Sequence, residues 1–201
     1  MVKVCSRCIY DDEHIPGISF DSVGVCNYCK EHENLEKEYP VSQQKFDELI
    51  KRIKTEGRHR RYDCVMGVSG GCNSSYLLYR LVDSGVRPLA VTFHNPWNTP
   101  IAVENLEKMT SALDVDFVRV TVDKKEYDDI CRSFMLASVP PVDTPADMAI
   151  GAVLLQAADV HKIKYVIDGH SFRTEGSAPI GMVYMDANIF EVFKTNLANT
   201  L

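Results

Sequence analysis

The segment CVMGVSGGCNSS, residues 64–75, decides how this chain is read. Cys64 to Val68 is a short apolar run of strand type, and the residues from Ser74 onward enter a helical pattern. Between them Ser69, Gly70 and Gly71 make a turn. Two glycines let the backbone approach an anion and adopt positive φ. The hydroxyls of Ser69, Ser74 and Ser75 can donate to its oxygens, and the following helix aims its unpaired N–H groups and positive dipole end at the same point. No Gly-Lys-Ser/Thr follows, so the segment is not a Walker A loop, and its glycine spacing is not the dinucleotide fingerprint. Phosphate binding by Ser69, Gly70, Gly71, Asn73, Ser74 and Ser75 is the expectation.

Outward from this segment the chain alternates strand and helix. Upstream, Phe46, Leu49, Ile50 and Ile53 recur at helical spacing between Ser42 and Gly57. Downstream, a helix through Leu77, Leu78, Leu81 and Val82 stops at Gly85, and Pro88 to Phe93 reads as a second strand. Thr99 followed by Pro100 is a helix cap with proline in the first turn. Phe117 to Val122 is a third strand and Lys124 to Ala137 a helix. Thr144 with Pro145 repeats the cap, opening a helix of small residues, and Tyr165 to Ile167 is a fourth strand. Strands joined by helices imply a parallel sheet, hence a three-layer α/β domain. In such a sheet ligands bind at the C-terminal strand ends, which places Phe93 and His94 toward the ligand. For His94 alone, a solvated loop histidine is the more common explanation.

Ahead of this domain Cys5, Cys8, Cys26 and Cys29 form two C-x-x-C pairs. Residues 1–35 are loop-rich and too few to hold together by apolar burial, so a structural metal is expected. Two knuckles offering two thiolates each close a tetrahedron with no open position, the pattern of a structural zinc ribbon; four thiolates also suit an iron–sulfur cluster. Cys64, Cys72 and Cys131 are scattered, with Cys72 facing the ligand of the phosphate loop. The organisation expected is a four-cysteine zinc ribbon over residues 1–35, a linker helix over 36–61 and a phosphate-binding α/β domain over 62–201.

Composition narrows the function. The 201 residues are 45% hydrophobic and 25% charged, with net charge −6, as in ordinary soluble domains. No run approaches the ~20 apolar residues of a membrane helix. Met1 to Cys5 lack an apolar signal core, so a cytoplasmic protein that does not engage membranes is expected. The acidic excess lies entirely beyond residue 62, which disfavours nucleic acid as a general partner. The basic run Lys51 to Arg61 reads as a solvated helix end.

After the fourth strand, residues 168–176 read DGHSFRTEG, a polar loop at a strand's C-terminal end where binding groups collect. Gly169 lies at its start and His170 beside it. Arg173 can grip a phosphate or carboxylate, and Glu175 can carry magnesium or accept a proton. An Arg–Glu surface pair is the plainer alternative.

Residues 69–74 resemble the PP-loop of the ATP pyrophosphatases, whose pattern is S-G-G-x-D-S, with Asn73 standing where that pattern has Asp. The resemblance implies an adenine nucleotide alpha hydrolase-like fold and cleavage of ATP to AMP and pyrophosphate, with magnesium. The paired C-x-x-C, the GVSGG loop, residues 98–106 and residues 169–176 together resemble the N-acetyl sugar amidotransferases over nearly the whole chain. That likeness implies His170, Arg173 and Glu175 as catalytic groups and Ser69, Gly70, Gly71, Asn73, Ser74, Ser75, Phe93, His94 and Gly169 as nucleotide contacts. It also implies ATP, Mg2+ and Zn2+ as cofactors. The activity implied converts an acetamido group of a nucleotide sugar or nonulosonic acid to an acetamidino group, in bacterial O-antigen, lipopolysaccharide or flagellin glycan synthesis. The resemblance implies a separate glutaminase subunit as the source of ammonia, and no cysteine of this sequence stands in a recognisable glutaminase setting. A synthase-like second subunit and a homo-oligomer are compatible with this scheme. Family members continue beyond residue 201, and residues 190–201 read as an unfinished helix. Two alternatives stand beside it: a PP-loop tRNA-thiolating enzyme, and a nucleotide-binding subunit without turnover.

Overall fold

The computed structural model describes residues 2–137 and 143–175. They fall into two compact units: residues 43–169, and residues 2–42 together with 170–175. The expectations for Gly176 and for 190–201 lie outside the described residues.

The larger unit carries the parallel sheet. Its strands are β1 (Cys64–Gly67), β2 (Pro88–His94), β3 (Phe117–Thr121) and β4 (Val166–Ile167), in the order β3-β2-β1-β4 with every pairing parallel. Every residue of β1 and β2 is buried except Gly67 and His94, which are half-buried, so both central strands are covered on two faces. Period-two alternation sorts their side chains. Val65, Leu89, Val91 and Phe93 pack with Tyr127, Cys131, Val153, Leu154 and Ala158, which belong to α5 (Lys124–Leu136) and α6 (Thr144–Val160). Cys64, Met66 and Ala90 face the other way, against Ile50, Ile53, Leu78, Leu81 and Leu106. Those residues come from α2 (Gln43–Gly57), α3 (Cys72–Asp83) and α4 (Pro100–Ala112). The result is the expected three-layer α/β unit. Among the described residues no helix is long and apolar enough to cross a membrane.

Local signals set the boundaries. Thr99 caps α4, its hydroxyl accepting from the Ala102 amide at 3.4 Å, with Pro100 in the first turn. Gly85, at φ 72°, ends α3, and the Val86 amide returns to the Leu81 carbonyl at 3.0 Å, a left-handed helix stop that suits glycine. The Thr144-Pro145 start is displaced by one residue. Asp143 is the capping position, and its carbonyl accepts from Ala146 and Asp147, while Thr144 is fully buried. Leu49 also departs from its expected stripe and lies exposed, leaving Ile50, Ile53 and Gly57 as the buried face of α2.

At the N-terminal end of the sheet Asp63, 3% exposed, is held by Arg87 through Nη2 at 2.6 Å and Nε at 3.1 Å, while the same Nη2 donates to the Gly57 carbonyl at 3.0 Å. A Cβ at Gly57 would stand 2.7 Å from Asp63 Cα and inside the contact radius of its carboxylate. Gly57→Ala is therefore expected to destabilise the protein by roughly 2–3 kcal/mol through overpacking against the buried Asp63, which the partly exposed Arg87 holds in place. The urea midpoint should fall at constant m-value; an unchanged midpoint would show that this junction yields freely.

The smaller unit is built on two turns and a helix. Isolated antiparallel bridges join Val4 to Asp11 and Phe20 to Cys26. Helix α1 (Asn27–Glu38) follows, and α7 (Phe172–Glu175) belongs to the same unit. Helix α1 begins inside the stretch expected to be loop. None of its residues is buried, so apolar periodicity carried no trace of it.

Candidate functional site

The phosphate loop is assembled by the turn from β1 into α3. Gly70 sits at φ 77°, a conformation glycine reaches without strain. A Cβ there would stand 2.9 Å from the Ala102 carbonyl carbon and closer still to its oxygen. Helix α4 thus backs the loop, and Asn105 Nδ2 donates to the Gly70 carbonyl at 3.3 Å. Ser74, 7% exposed, ties the turn together: its hydroxyl accepts from the Ser69 amide at 3.2 Å and meets Ser69 Oγ at 3.2 Å. Ser75 Oγ donates to the Gly71 carbonyl at 2.7 Å. Gly71 is the N-cap of α3, and no side chain caps that end. The first-turn amides of this 12-residue helix are left for an anion, with the dipole aligned to favour one.

Of the expected nucleotide contacts, Ser69, Gly70, Gly71, Ser74, Ser75 and Gly169 come together here. The backbone of Ser74 would be 3.5 Å from a Cβ at Gly169, which closes the loop from the side of β4. Asn73 is exposed in the first turn of α3 and is not its cap. Cys72, also exposed, is the first residue of that helix. Phe93 and His94 end β2, at the same edge of the sheet. The Phe93 ring turns inward, 5.9 Å from Tyr127, and Trp97 meets Tyr127 edge-on at 5.6 Å. The Tyr127 hydroxyl is buried without a hydrogen-bond partner among the described residues, and burial pushes its ionisation up. Residue spacing gave no sign of Asn105, Ala102 or Tyr127 as site neighbours, since each meets the site through tertiary packing; Ala102 and Asn105 do fall within the motif at 98–106.

The basic run lies at the opposite end of the sheet, where its Lys and Arg side chains are exposed and some of them pair locally. Arg61 pairs with Asp116 at 2.8 Å, Lys54 donates to the Ser84 carbonyl at 3.1 Å, and Arg60 to the Glu56 carbonyl at 3.3 Å.

His170 and Arg173 belong to the smaller unit. Arg173 Nη2 donates to the Tyr39 carbonyl at 2.6 Å, and its Nε lies 3.8 Å from Glu36. Glu175 closes α7, and its side chain lies outside the described residues.

In the same unit the sulfurs of Cys5, Cys8, Cys26 and Cys29 all lie within 4.8 Å of one another. Cys5 and Cys29 are 4.0 Å apart, Cys8 and Cys26 3.7 Å. A single tetrahedral ion with ~2.3 Å metal–sulfur bonds sets its sulfurs about 3.8 Å apart, so the cluster has the size of one ion; a cubane cluster would spread the thiolates further. Amides of Arg7 and Cys26 donate to Cys5 Sγ at 3.4 and 3.3 Å, and the Cys29 amide to Cys26 Sγ at 3.4 Å. Burial works against a Cys5 thiolate, but these amide donors outweigh it and hold the thiol at about 6. Burial and the neighbouring sulfurs push Cys29 up, and burial raises Cys8. One thiolate forms readily and then opposes the next, so full ionisation of the set needs a cation among them.

No family model matches the chain, and no curated protein matches it. Solved structures do. The glutamine-dependent NAD+ synthetase of Acinetobacter baumannii in complex with ADP matches at TM-score 0.52 and 15% identity, over 68% of this chain and 26% of that one. The NH3-dependent NAD synthetase of Campylobacter jejuni matches at TM-score 0.48 and 16% identity, over 66% and 58%. The U34-tRNA thiolase NcsA of Methanococcus maripaludis, with its iron–sulfur cluster, matches at 0.43 and 14%, over 89% and 61%. The chain therefore spans about a quarter of the first and under two thirds of the others. The first likeness is one of fold: the larger unit has the α/β architecture of the PP-loop, adenine nucleotide alpha hydrolase-like proteins.

Proposed function

We propose that the chain is the ATP-cleaving part of an amidotransferase that turns the acetamido group of an N-acetyl sugar into an acetamidino group, forming AMP and pyrophosphate. The observation that carries this reading is the uncapped start of α3 beneath the Ser69–Ser75 turn. The fold is shared with a glutamine-dependent synthetase whose structure holds ADP, and the sugar substrate is supported by the motifs at 98–106 and 169–176.

The chemistry follows from where charge develops. The acetamido oxygen attacks the α-phosphorus, the bond to the β-phosphate oxygen breaks, and pyrophosphate leaves with the electron pair. The first-turn amides of α3 and the Ser69 hydroxyl are assigned to that departing charge, while the Ser75 hydroxyl, donating to the Gly71 carbonyl, holds the turn. Magnesium arriving with ATP shares the charge on the phosphate oxygens. Ammonia then adds to the activated carbon, AMP departs with the original amide oxygen, and a proton is released. Arg173 and His170 are assigned to the sugar side, with Glu175 as proton acceptor, and His94 and Gly169 to the adenosine side; the Phe93 ring, turned inward onto Tyr127, supports that side from the core. The nitrogen is assigned to a separate glutaminase subunit and the pathway to bacterial surface glycan synthesis. The four thiols hold zinc in a closed structural site with no part in the reaction.

Mass spectrometry after incubation with magnesium-ATP, ammonium and a panel of acetamido nucleotide sugars tests this. AMP together with a sugar in which NH replaces one oxygen is the expected product pair. ATP left intact in a protein that binds it would assign the chain to nucleotide binding without turnover. In the same assay Asn73→Asp, which restores a carboxylate beside the triphosphate, is expected to raise AMP release on the order of tenfold. An unchanged rate would remove Asn73 as a limit on catalysis.

A further inference from the structure

Helix α1 is poorly equipped to stand by itself. It has 12 residues and buries none, its first turn holds no acid, and its last turn carries Glu36 and Glu38 against the single Lys37, a net negative charge. Negative charge there opposes the helix dipole, and a helix of this length is marginal in water. The cysteine cluster supplies its start: Cys26 is the N-cap, and Cys29, in the first turn, donates its amide to Cys26 Sγ. An Arg7–Glu33 pair and a Lys30–Asp21 pair at 2.7 Å fasten the helix to the knuckles.

Cys29, His32 and Glu36 recur at spacings of three and four, which puts them on one face of α1, and Tyr39 follows as its C-cap. The cluster occupies one end of that face, and the distal segment occupies the other. His32 meets the Phe172 ring edge-on at 5.4 Å, Glu36 lies 3.8 Å from Arg173 Nε, and the Tyr39 carbonyl accepts from Arg173 Nη2 at 2.6 Å. The Arg173 guanidinium also covers the Phe172 ring at 4.5 Å.

We propose that the metal-loaded cysteine cluster sets the position of residues 170–173 through α1, with His32, Glu36 and Tyr39 as positioning residues. This rests on the assignment of a metal to the four thiols. The ion fixes Cys26 and Cys29, those fix the first turn of α1, and the far end of the same helix grips Phe172 and Arg173. Loss of the ion melts α1 and frees the distal segment, while the parallel sheet, with its own core, stays folded.

Hydrogen exchange on the full chain, read by mass spectrometry with metal content measured alongside, tests this. Chelation is expected to speed exchange in 27–39 and in 170–175 on the order of tenfold or more while 64–68 stays protected. Opening of 27–39 with 170–175 unchanged would overturn the coupling. Glu36→Lys gives the second arm: it suits the helix dipole and repels Arg173. The expected result is unchanged metal content, α1 still protected, and faster exchange in 170–175. Retained protection of 170–175 in this variant would overturn the positioning role of Glu36 and leave the metal assignment standing. A chain that purifies without metal and keeps 27–39 and 170–175 protected would overturn the metal's part and that assignment together.

Discussion

Gly70→Ala is expected to lower ATP affinity on the order of a hundredfold, about 2.7 kcal/mol, and to lower the melting temperature as well. Two costs act at one atom. The residue sits at φ 77°, where a side chain costs roughly 1–2 kcal/mol. The new Cβ would also press on the Ala102 carbonyl, 2.9 Å from its carbon, and backbone of α4 cannot swing aside as a flexible side chain would. The turn must shift, and with it the Ser69 and Ser74 hydroxyls that shape it. Gly71→Ala is the control. Gly71 has φ −84°, and its added Cβ would meet only Ser69 Oγ, at 3.3 Å. Its melting temperature should stay near that of the parent. Calorimetric titration with ATP and thermal melts of both variants decide this; equal behaviour of the two would mean that α4 does not support the loop.

Removal of the metal proposed for the four thiols, by chelation or by Cys29→Ser, should abolish α1 and the knuckles while the α/β unit keeps a cooperative melt. Structural zinc contributes apparent binding energies on the order of 10 kcal/mol in small domains, and here there is little else to set against its loss. Among the described residues of the smaller unit only Cys5 and Cys26 are buried apolar groups, and both are ligands of the proposed site. The larger unit has two separate buried clusters of its own. Circular dichroism should lose part of its helical signal, and residues 2–38 should become sensitive to protease. A chain that retains α1 after complete metal removal would show that the ion pairs at Glu33 and Asp21 suffice.

The parts legible in the sequence are those whose cause is local. The Ser69–Ser75 turn lies within one strand–turn–helix segment, so residue type and spacing were enough to place its hydroxyls and glycines. Strands β1 and β2 stood out because burial on both faces demands continuous apolar runs. Helix α1 stayed hidden because it is polar on all sides and is held by thiols and ion pairs, which leave no apolar period. The stop at Gly85 was legible because positive φ selects glycine, whereas the start of α6 shifted because burial of Thr144 outweighed its value as a cap. The backing of Gly70 by Ala102 and Asn105 depends on how α4 packs, and the link from Arg173 to Tyr39 joins residues 134 positions apart. Neither leaves a pattern that spacing can reveal.

The central claim, that ATP activates an amide oxygen at this phosphate loop, is tested most directly by following that oxygen. The protein is incubated with magnesium-ATP, ammonium and an N-acetyl sugar whose acetyl carbonyl carries a heavy-oxygen label, and the nucleotide product is weighed by mass spectrometry. The expected result is AMP bearing the label on its phosphate, beside unlabelled pyrophosphate and a label-free amidine. ADP with inorganic phosphate, or AMP without the label, would contradict it.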